Sequence, residues 1–308
     1  MQATNQRSLH HLEKIVAIAA LAAVLALTIG FAQAADKDKR SVRRVSHAVA
    51  ASPATISDRS LRSAVAFVQD ASSGETLYAK NQEAVLPIAS ITKLMTAMVI
   101  LDGKLNLDQR VAISDEDYDF VKGTHSRLRP GTVLTRDELL LLALMSSENR
   151  AAASLARTYP GGTEAFVVAM NAKAHALGMA DTRFVDPTGL SSSNVSSARD
   201  LARMVVAAHE YPLIRQYSTR DSAVVESLGR PLAYRNTNGL VRNAQWEIGL
   251  SKTGYISEAG RCLVMHVRMA SREVVVVLLD SWGKLSRIGD ANRIKKWLES
   301  NAATGRRG

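Results

Sequence analysis

Ser90 and Lys93 stand three positions apart at the head of an apolar run, Leu94-Met95-Thr96-Ala97-Met98-Val99-Ile100. On a helix, that spacing brings a hydroxyl and an amine to one face, a turn apart. A serine hydroxyl is a weak nucleophile until a neighbour takes its proton, and an uncharged lysine within reach can do so. The apolar helix behind the pair would hold it rigidly and aim a helix N-terminus at a developing anion. The spacing alone is cheap: Ser281-Trp282-Gly283-Lys284 repeats it, but follows a strand, contains a glycine and reads as surface loop. Ser147-Glu148-Asn149 lies between two apolar helical runs. Beside the first pair, Ser147 could relay a proton to a leaving amine while Asn149 hydrogen-bonds a substrate amide; otherwise the triplet is a polar turn ending a helix. Ser192-Ser193-Asn194 shows how readily such a triplet arises. Lys252-Thr253-Gly254 occurs once, ahead of a strand-rich stretch. On an edge strand, Lys252 would supply positive field, Thr253 would donate to a carboxylate, and Gly254 would admit a peptide backbone closely. An ordinary turn is the alternative.

The elements that must position these groups are legible in outline. Ala64–Val68 and Thr76–Ala79 flank the turn residues Asp70–Glu75 and predict a hairpin. A helix is predicted over Ile91–Leu101, stopped by Gly103. Ser126–Leu134, with Pro130-Gly131, reads as loop or short strand. Thr135-Arg136-Asp137-Glu138 fits a capping box opening a helix through Met145, and Ala151–Arg157 predicts another. Thr163–Tyr211 reads as mainly helical, interrupted by polar Asp186–Ser197. Cys262–Met269 and Glu273–Asp280 predict two strands joined at Ser271-Arg272. Val274–Leu279 is apolar without alternation, as in a strand covered on both faces. Asp290–Ser300 closes the pattern as an amphipathic helix with Ile294, Trp297 and Leu298 on one side. The expected class is α+β: an antiparallel sheet flanked by helices, with a long helical insertion.

A chain of 308 residues, 46% of them hydrophobic, can build a sizeable core, which excludes a wholly disordered or fibrous protein. Its net charge of +10 suits a polyanionic partner: nucleic acid, an anionic membrane surface or an acidic wall polymer. The N-terminus narrows that choice. Arg7 and Lys14 precede an apolar run from Ile15 to Phe31, which ends in Ala32-Gln33-Ala34. This pattern predicts a secretory signal over residues 1–34, cleaved after Ala34, with an uncleaved membrane anchor as the alternative. Residues 35–61 read as a flexible basic linker, with at most weak contact to anionic envelope material. Residues 62–308 form the remaining domain. Export to the periplasm makes nucleic acid an unlikely partner. The seven histidines show no metal-ligand spacing, so no metal or other cofactor is expected. Cys262, the single cysteine, can form no intrachain disulfide and reads as a buried strand residue; His125, near Arg127 and Arg129, reads as surface loop.

The order Ser90, Ser147, Lys252 carries more than any one motif. An SxxK opening a helix, an SxN between helices and a late KTG is the arrangement found in penicillin-binding proteins and class A β-lactamases. The chain resembles the low-molecular-mass penicillin-binding proteins of the D-alanyl-D-alanine carboxypeptidase/endopeptidase type, peptidase family S11. The likeness extends over most of residues 62–300, including Leu86-Pro87-Ile88-Ala89, Thr182–Leu190 and Ser196–Ala202. It implies a β-lactamase/DD-transpeptidase-like fold and a serine DD-peptidase acting on peptidoglycan peptides and acylated by β-lactams. Ser90 would be the nucleophile and Lys93 its base, made neutral by burial and by a nearby Lys252. Ser147 would relay the proton, and Asn149 would bind substrate. Lys252 and Thr253 would hold a carboxylate, with the amides of Ser90 and Tyr255 as the oxyanion hole. No Glu-x-x-Leu-Asn segment lies between the second and third motifs, so rapid penicillin hydrolysis is not expected. Only 56 residues follow Lys252. The chain is therefore similar to the shorter, penicillin-binding protein 7-like endopeptidases. The alternatives are a carboxypeptidase trimming pentapeptides, a penicillin-binding sensor without turnover and a non-enzymatic envelope-binding protein.

Overall fold

The computed structural model describes residues 56–57 and 60–305. The expected signal and nearly all of the expected linker lie outside the described residues. Among those described, no helix is long and apolar enough to cross a membrane.

The strands are β1 (Ser63–Asp70), β2 (Thr76–Lys80), β3 (Leu86–Pro87), β4 (Arg110–Ala112), β5 (Val133–Thr135), β6 (Val195–Ser196), β7 (Ser222–Ser227), β8 (Arg230–Arg235), β9 (Glu247–Ile256), β10 (Gly260–Met269) and β11 (Arg272–Ser281). The helices are α1 (Lys93–Asp102), α2 (Arg136–Met145), α3 (Asn149–Arg157), α4 (Gly162–Ala176), α5 (Ala198–His209), α6 (Pro212–Thr219) and α7 (Ser286–Gly305). Five strands form one antiparallel sheet in the order β2-β1-β11-β10-β9, which leaves β9 at an edge.

Alternation along the strands divides the core in two. Val65, Phe67, Cys262, Val264, Val275 and Val277 face the helical lobe, where α5 lies on β1, β10 and β11. Ala66, Val68, Leu263, Met265, Val274 and Val276 face Ala291, Ile294 and Leu298 of α7. Central β11 is therefore buried on both faces from Val274 to Leu279, as its unbroken apolar run predicts. Asp290 ties α7 to the start of β1: its carboxylate accepts from the amides of Arg62 (3.0 Å) and Ser63 (2.7 Å) and from Arg293.

Local chemistry sets several boundaries. In α2, Glu138 N donates to Thr135 Oγ1 at 3.1 Å and Thr135 N donates to Glu138 Oε2 at 2.8 Å, the expected capping box. The turn between β10 and β11 is Ala270-Ser271, not Ser271-Arg272. Both residues have positive φ (50° and 65°), the left-handed pair that matches strand twist in a two-residue hairpin. The break between α4 and α5 begins at Leu177, well before Asp186. The α6 helix and the β7–β8 hairpin occupy a stretch whose pattern announces neither.

Candidate active site

Ser90 does not open the α-helix itself. It sits in a 3-10 turn, Ala89–Thr92, and Lys93 is the first residue of α1. The Ala89 carbonyl accepts from Thr92 Oγ1 at 2.8 Å, which closes the turn tightly. Ala89 itself is left-handed, with φ of 48°, a strain that persists only where surrounding packing imposes it. That packing comes from two sides. Pairing of β3 with β6, and Ile88 N donating to Asn194 O at 3.0 Å, pin the approach to Ser90. On the other side Gly189, with φ of 80°, packs so closely that a Cβ there would lie 1.9 Å from Ala89 O.

Lys93 is fully buried, and its Nζ has three partners: Ser90 Oγ at 3.0 Å, Asn149 Oδ1 at 2.7 Å and Thr188 O at 2.6 Å. Asn149 Oδ1 and Thr188 O can only accept. A neutral amine therefore spends its two N–H groups on them and leaves its lone pair for the Ser90 hydroxyl. A hydrogen-bond chain fixes the Asn149 amide. Its Nδ2 donates to Thr124 Oγ1 at 2.9 Å, and that hydroxyl donates to Asp119 Oδ2 at 2.6 Å. Burial pushes the Asp119 carboxyl up, but hydrogen bonds from Thr124, Lys122 and Val121 more than reverse this and hold it below the usual range. Asp186 organises the other partner, since its Oδ1 accepts from the amides of Thr188 (2.6 Å) and Gly189 (2.7 Å).

Burial lowers Lys93 to about 8, against the opposing field of Asp186, Glu148 and Asp119. Burial is thus the principal cause, rather than the like charge of Lys252. Lys252 is also fully buried, and burial together with the charges of Lys93 and Arg287 holds it well below the ordinary lysine range. Its Nζ donates to Ser147 Oγ at 2.9 Å and Thr253 O at 3.0 Å. Ser147 has φ of 61°, a second strained residue, between the end of α2 and Glu148, whose side chain caps α3 by accepting from Arg150 N at 3.3 Å. The three motifs therefore meet through Lys93–Asn149 and Lys252–Ser147.

β9 carries Lys252, Thr253 and Gly254 at the sheet edge, as the strand reading requires. Lys252 and Gly254, two apart, share a face. A Cβ on Gly254 would lie 2.9 Å from Ile88 O and 3.0 Å from Ser90 N. The absent side chain thus lets β9 approach the protein's own Ser90 turn, whereas the sequence suggested room for a substrate backbone. Thr253 Oγ1 donates to Thr237 Oγ1 at 2.7 Å, and the Tyr255 side chain is exposed. Beside Asn149, a cavity of about 270 Å³ is lined by Tyr118, Phe120, Asp186, Thr188 and Leu190.

The decoys separate as expected for the first and instructively for the second. Trp282 and Lys284 are exposed, and Ser281 is bonded to Ser63 Oγ at 2.5 Å. Asn194 is buried and structural: Oδ1 accepts from the amides of Val185 (2.8 Å) and Asp186 (3.2 Å), and Nδ2 donates to Thr92 Oγ1 (3.1 Å). Cys262 is buried, with its thiol pushed up to about 11 by desolvation, and His125 is exposed. Sequence reasoning missed Arg287, whose Nη1 donates to Gly254 O at 3.2 Å, and the Asp119–Thr124 pair. No spacing rule links these residues to the motifs, because separate elements deliver them.

A family model described as D-alanyl-D-alanine carboxypeptidase matches residues 49–282. A D-alanyl-D-alanine endopeptidase of Pseudomonas aeruginosa is 51% identical over 267 residues, covering 84% of this chain and 86% of that protein. A D-alanyl-D-alanine endopeptidase of Escherichia coli is 47% identical over 252 residues, 81% of each chain. Among solved structures, the Streptomyces K15 DD-transpeptidase superposes with a TM-score of 0.73 at 27% identity, covering 79% of this chain and 99% of that one.

Proposed function

Because the chain belongs to the D-alanyl-D-alanine carboxypeptidase family, peptidase family S11, we propose that it is a serine DD-peptidase of peptidoglycan whose main reaction is endopeptidic cleavage of cross-links. The observation that carries this reading is the buried Lys93 amine, 3.0 Å from Ser90 Oγ with acceptors on both of its remaining sides. The two endopeptidases at 51% and 47% identity support the choice of bond.

Neutral Lys93 takes the proton as Ser90 Oγ attacks the carbonyl of a D-Ala residue. The oxyanion forms against the amides of Ser90 and Tyr255, each worth about 3 kcal/mol in comparable sites. Collapse breaks the C–N bond, and Ser147, bonded to Lys252, passes a proton to the departing amine. Asn149 holds Lys93 and donates to the substrate amide as that amide displaces Thr124. Lys252 and Thr253 receive the carboxylate on the leaving D-centre, whose negative charge favours the ammonium form of Lys252. Water, deprotonated by Lys93, then frees the acyl group and returns the Ser90 proton. A β-lactam enters as the acyl donor and remains as a covalent adduct. Export through residues 1–34, with cleavage after Ala34, would place the enzyme in the periplasm with its polymer, and the basic segment 35–61 would add weak contact with anionic envelope material.

Purified cross-linked dimers and pentapeptides separate the readings. The expected result is conversion of dimer to monomers. A persisting dimer with pentapeptide losing D-Ala would make the protein a carboxypeptidase, and persistence of both would refute hydrolysis altogether.

The pH dependence follows from Lys93, lowered to about 8. Only the neutral amine accepts the Ser90 proton, so benzylpenicillin acylation measured as kcat/KM rises about tenfold per pH unit below that value and levels above it. A flat profile between about pH 6 and 9 would remove Lys93 from the role of base.

A further inference from the structure

A cavity of about 420 Å³ opens between the 125–129 loop and the β7–β8 hairpin, lined among others by His125, Ser126, Arg127, Arg129, Ser227 and Arg230. That is the size of a small-ligand site. No lining residue is acidic, and among the described residues no carboxylate pairs with Arg127, Arg129 or Arg230. The Arg127 guanidinium stacks 4.0 Å from the Tyr234 ring centroid, which orients it and leaves its N–H edge free. Three uncompensated guanidinium groups around one hollow form a site for carboxylates.

The site is fastened to the catalytic cleft. Ser126 Oγ donates to Glu148 Oε1 at 2.6 Å, and Glu148 stands between Ser147 and Asn149. Thr132 Oγ1 and Ser227 Oγ, 2.7 Å apart, lock the two walls together. The hairpin runs on to Thr237, which bonds Thr253. Its neighbours are thus the residues that handle the leaving group.

We propose that this arginine-lined cavity binds carboxylates of the second stem peptide, the leaving half of a cross-link. The proposal rests on the endopeptidase reading. A carboxypeptidase releases free D-Ala, whose one carboxylate Lys252 and Thr253 already accommodate. A cross-link releases a whole stem peptide bearing further carboxylates, and these find no other counter-charge in that direction.

The test compares wild type with the Arg129→Gln/Arg230→Gln and Arg129→Lys/Arg230→Lys variants. With cross-linked dimer, the glutamine variant raises KM about five- to tenfold, since each solvent-facing pair contributes a few-fold, while kcat stays within about twofold. The lysine variant recovers most of the loss. Benzylpenicillin acylation and pentapeptide hydrolysis stay at wild-type rates. Unchanged dimer KM, or an equal loss with all three substrates, overturns the proposal. A dimer with its free carboxylates amidated shows no difference between wild type and the glutamine variant; a persisting difference also overturns it. A binding measurement on the Ser90→Ala protein isolates the cavity from the chemistry. Dimer affinity falls in that background when both arginines become glutamine, and an unchanged affinity refutes the cavity. Failure of wild type to cut dimer, with this binding difference intact, would instead refute the endopeptidase reading.

Discussion

Replacing Lys93 with alanine lowers benzylpenicillin acylation by between about 100- and 10,000-fold, the range over which a positioned general base contributes. The argument is geometric. Lys93 Nζ lies 3.0 Å from Ser90 Oγ, and its two other partners are acceptors that cannot give it a proton. The change also strands Asn149 Oδ1 and Thr188 O, at about 1–3 kcal/mol for each buried acceptor left unpaired. Removing a buried amine offsets that loss, because desolvation disfavours its charged form in the folded protein. Thermal stability should therefore change far less than activity, and a melting curve beside the acylation rate distinguishes lost chemistry from lost fold. The competing base is Lys252 acting through Ser147, 2.9 Å away. In that case Lys93→Ala would keep most of its activity and Ser147→Ala would lose it.

A single methyl group at Gly189 produces the second large effect. Its Cβ would stand 1.9 Å from Ala89 O, 2.4 Å from Ala89 C and 2.8 Å from Thr92 Oγ1, at a φ of 80° that alanine resists. The backbone conformation costs about 1 kcal/mol and overpacking about 1–3 kcal/mol more. A loss of about 2–4 kcal/mol lowers Tm by roughly 5–15 °C in a domain of this size. The displaced atoms belong to the residue before Ser90, so acylation should fall as well, by at least about 100-fold for a shift near 1 Å. Stability and acylation rate are measured on the same preparation. Wild-type values for both would mean that the Asp186–Leu190 loop does not hold the Ser90 turn in place.

The elements that position the site differed in how plainly the sequence announced them. Local chemistry made some of them readable: the Thr135–Glu138 box, the unbroken apolar run of β11, and α1 with its stop at Gly103. Others lacked a local signal. The turn at Ala270-Ser271 depends on two left-handed residues of types that rarely adopt that conformation. Alternation in β7, with Ala223, Val225 and Ser227 inward, becomes evident only when the hairpin packs beside β5 and α2. Asn194 looked like a spare copy of the second motif and is instead a buried strut under Thr92, because a short polar triplet does not encode which way its amide points.

The types and order of Ser90, Lys93, Ser147, Asn149, Lys252 and Thr253 were determined by the sequence alone, and with them the class of reaction. Their chemistry requires particular side chains, and side-chain identity is local information. Protonation and aim were decided by tertiary structure. Lys93 titrates near 8 because α1 is buried on every side, and Asn149 faces it because Asp119 and Thr124, more than 20 residues away in the chain, fix the amide. The glycines at 189 and 254 gained their meaning in the same way, from the backbones that press against them. Desolvation and close packing are sums over neighbours, and only the fold decides which neighbours a residue has.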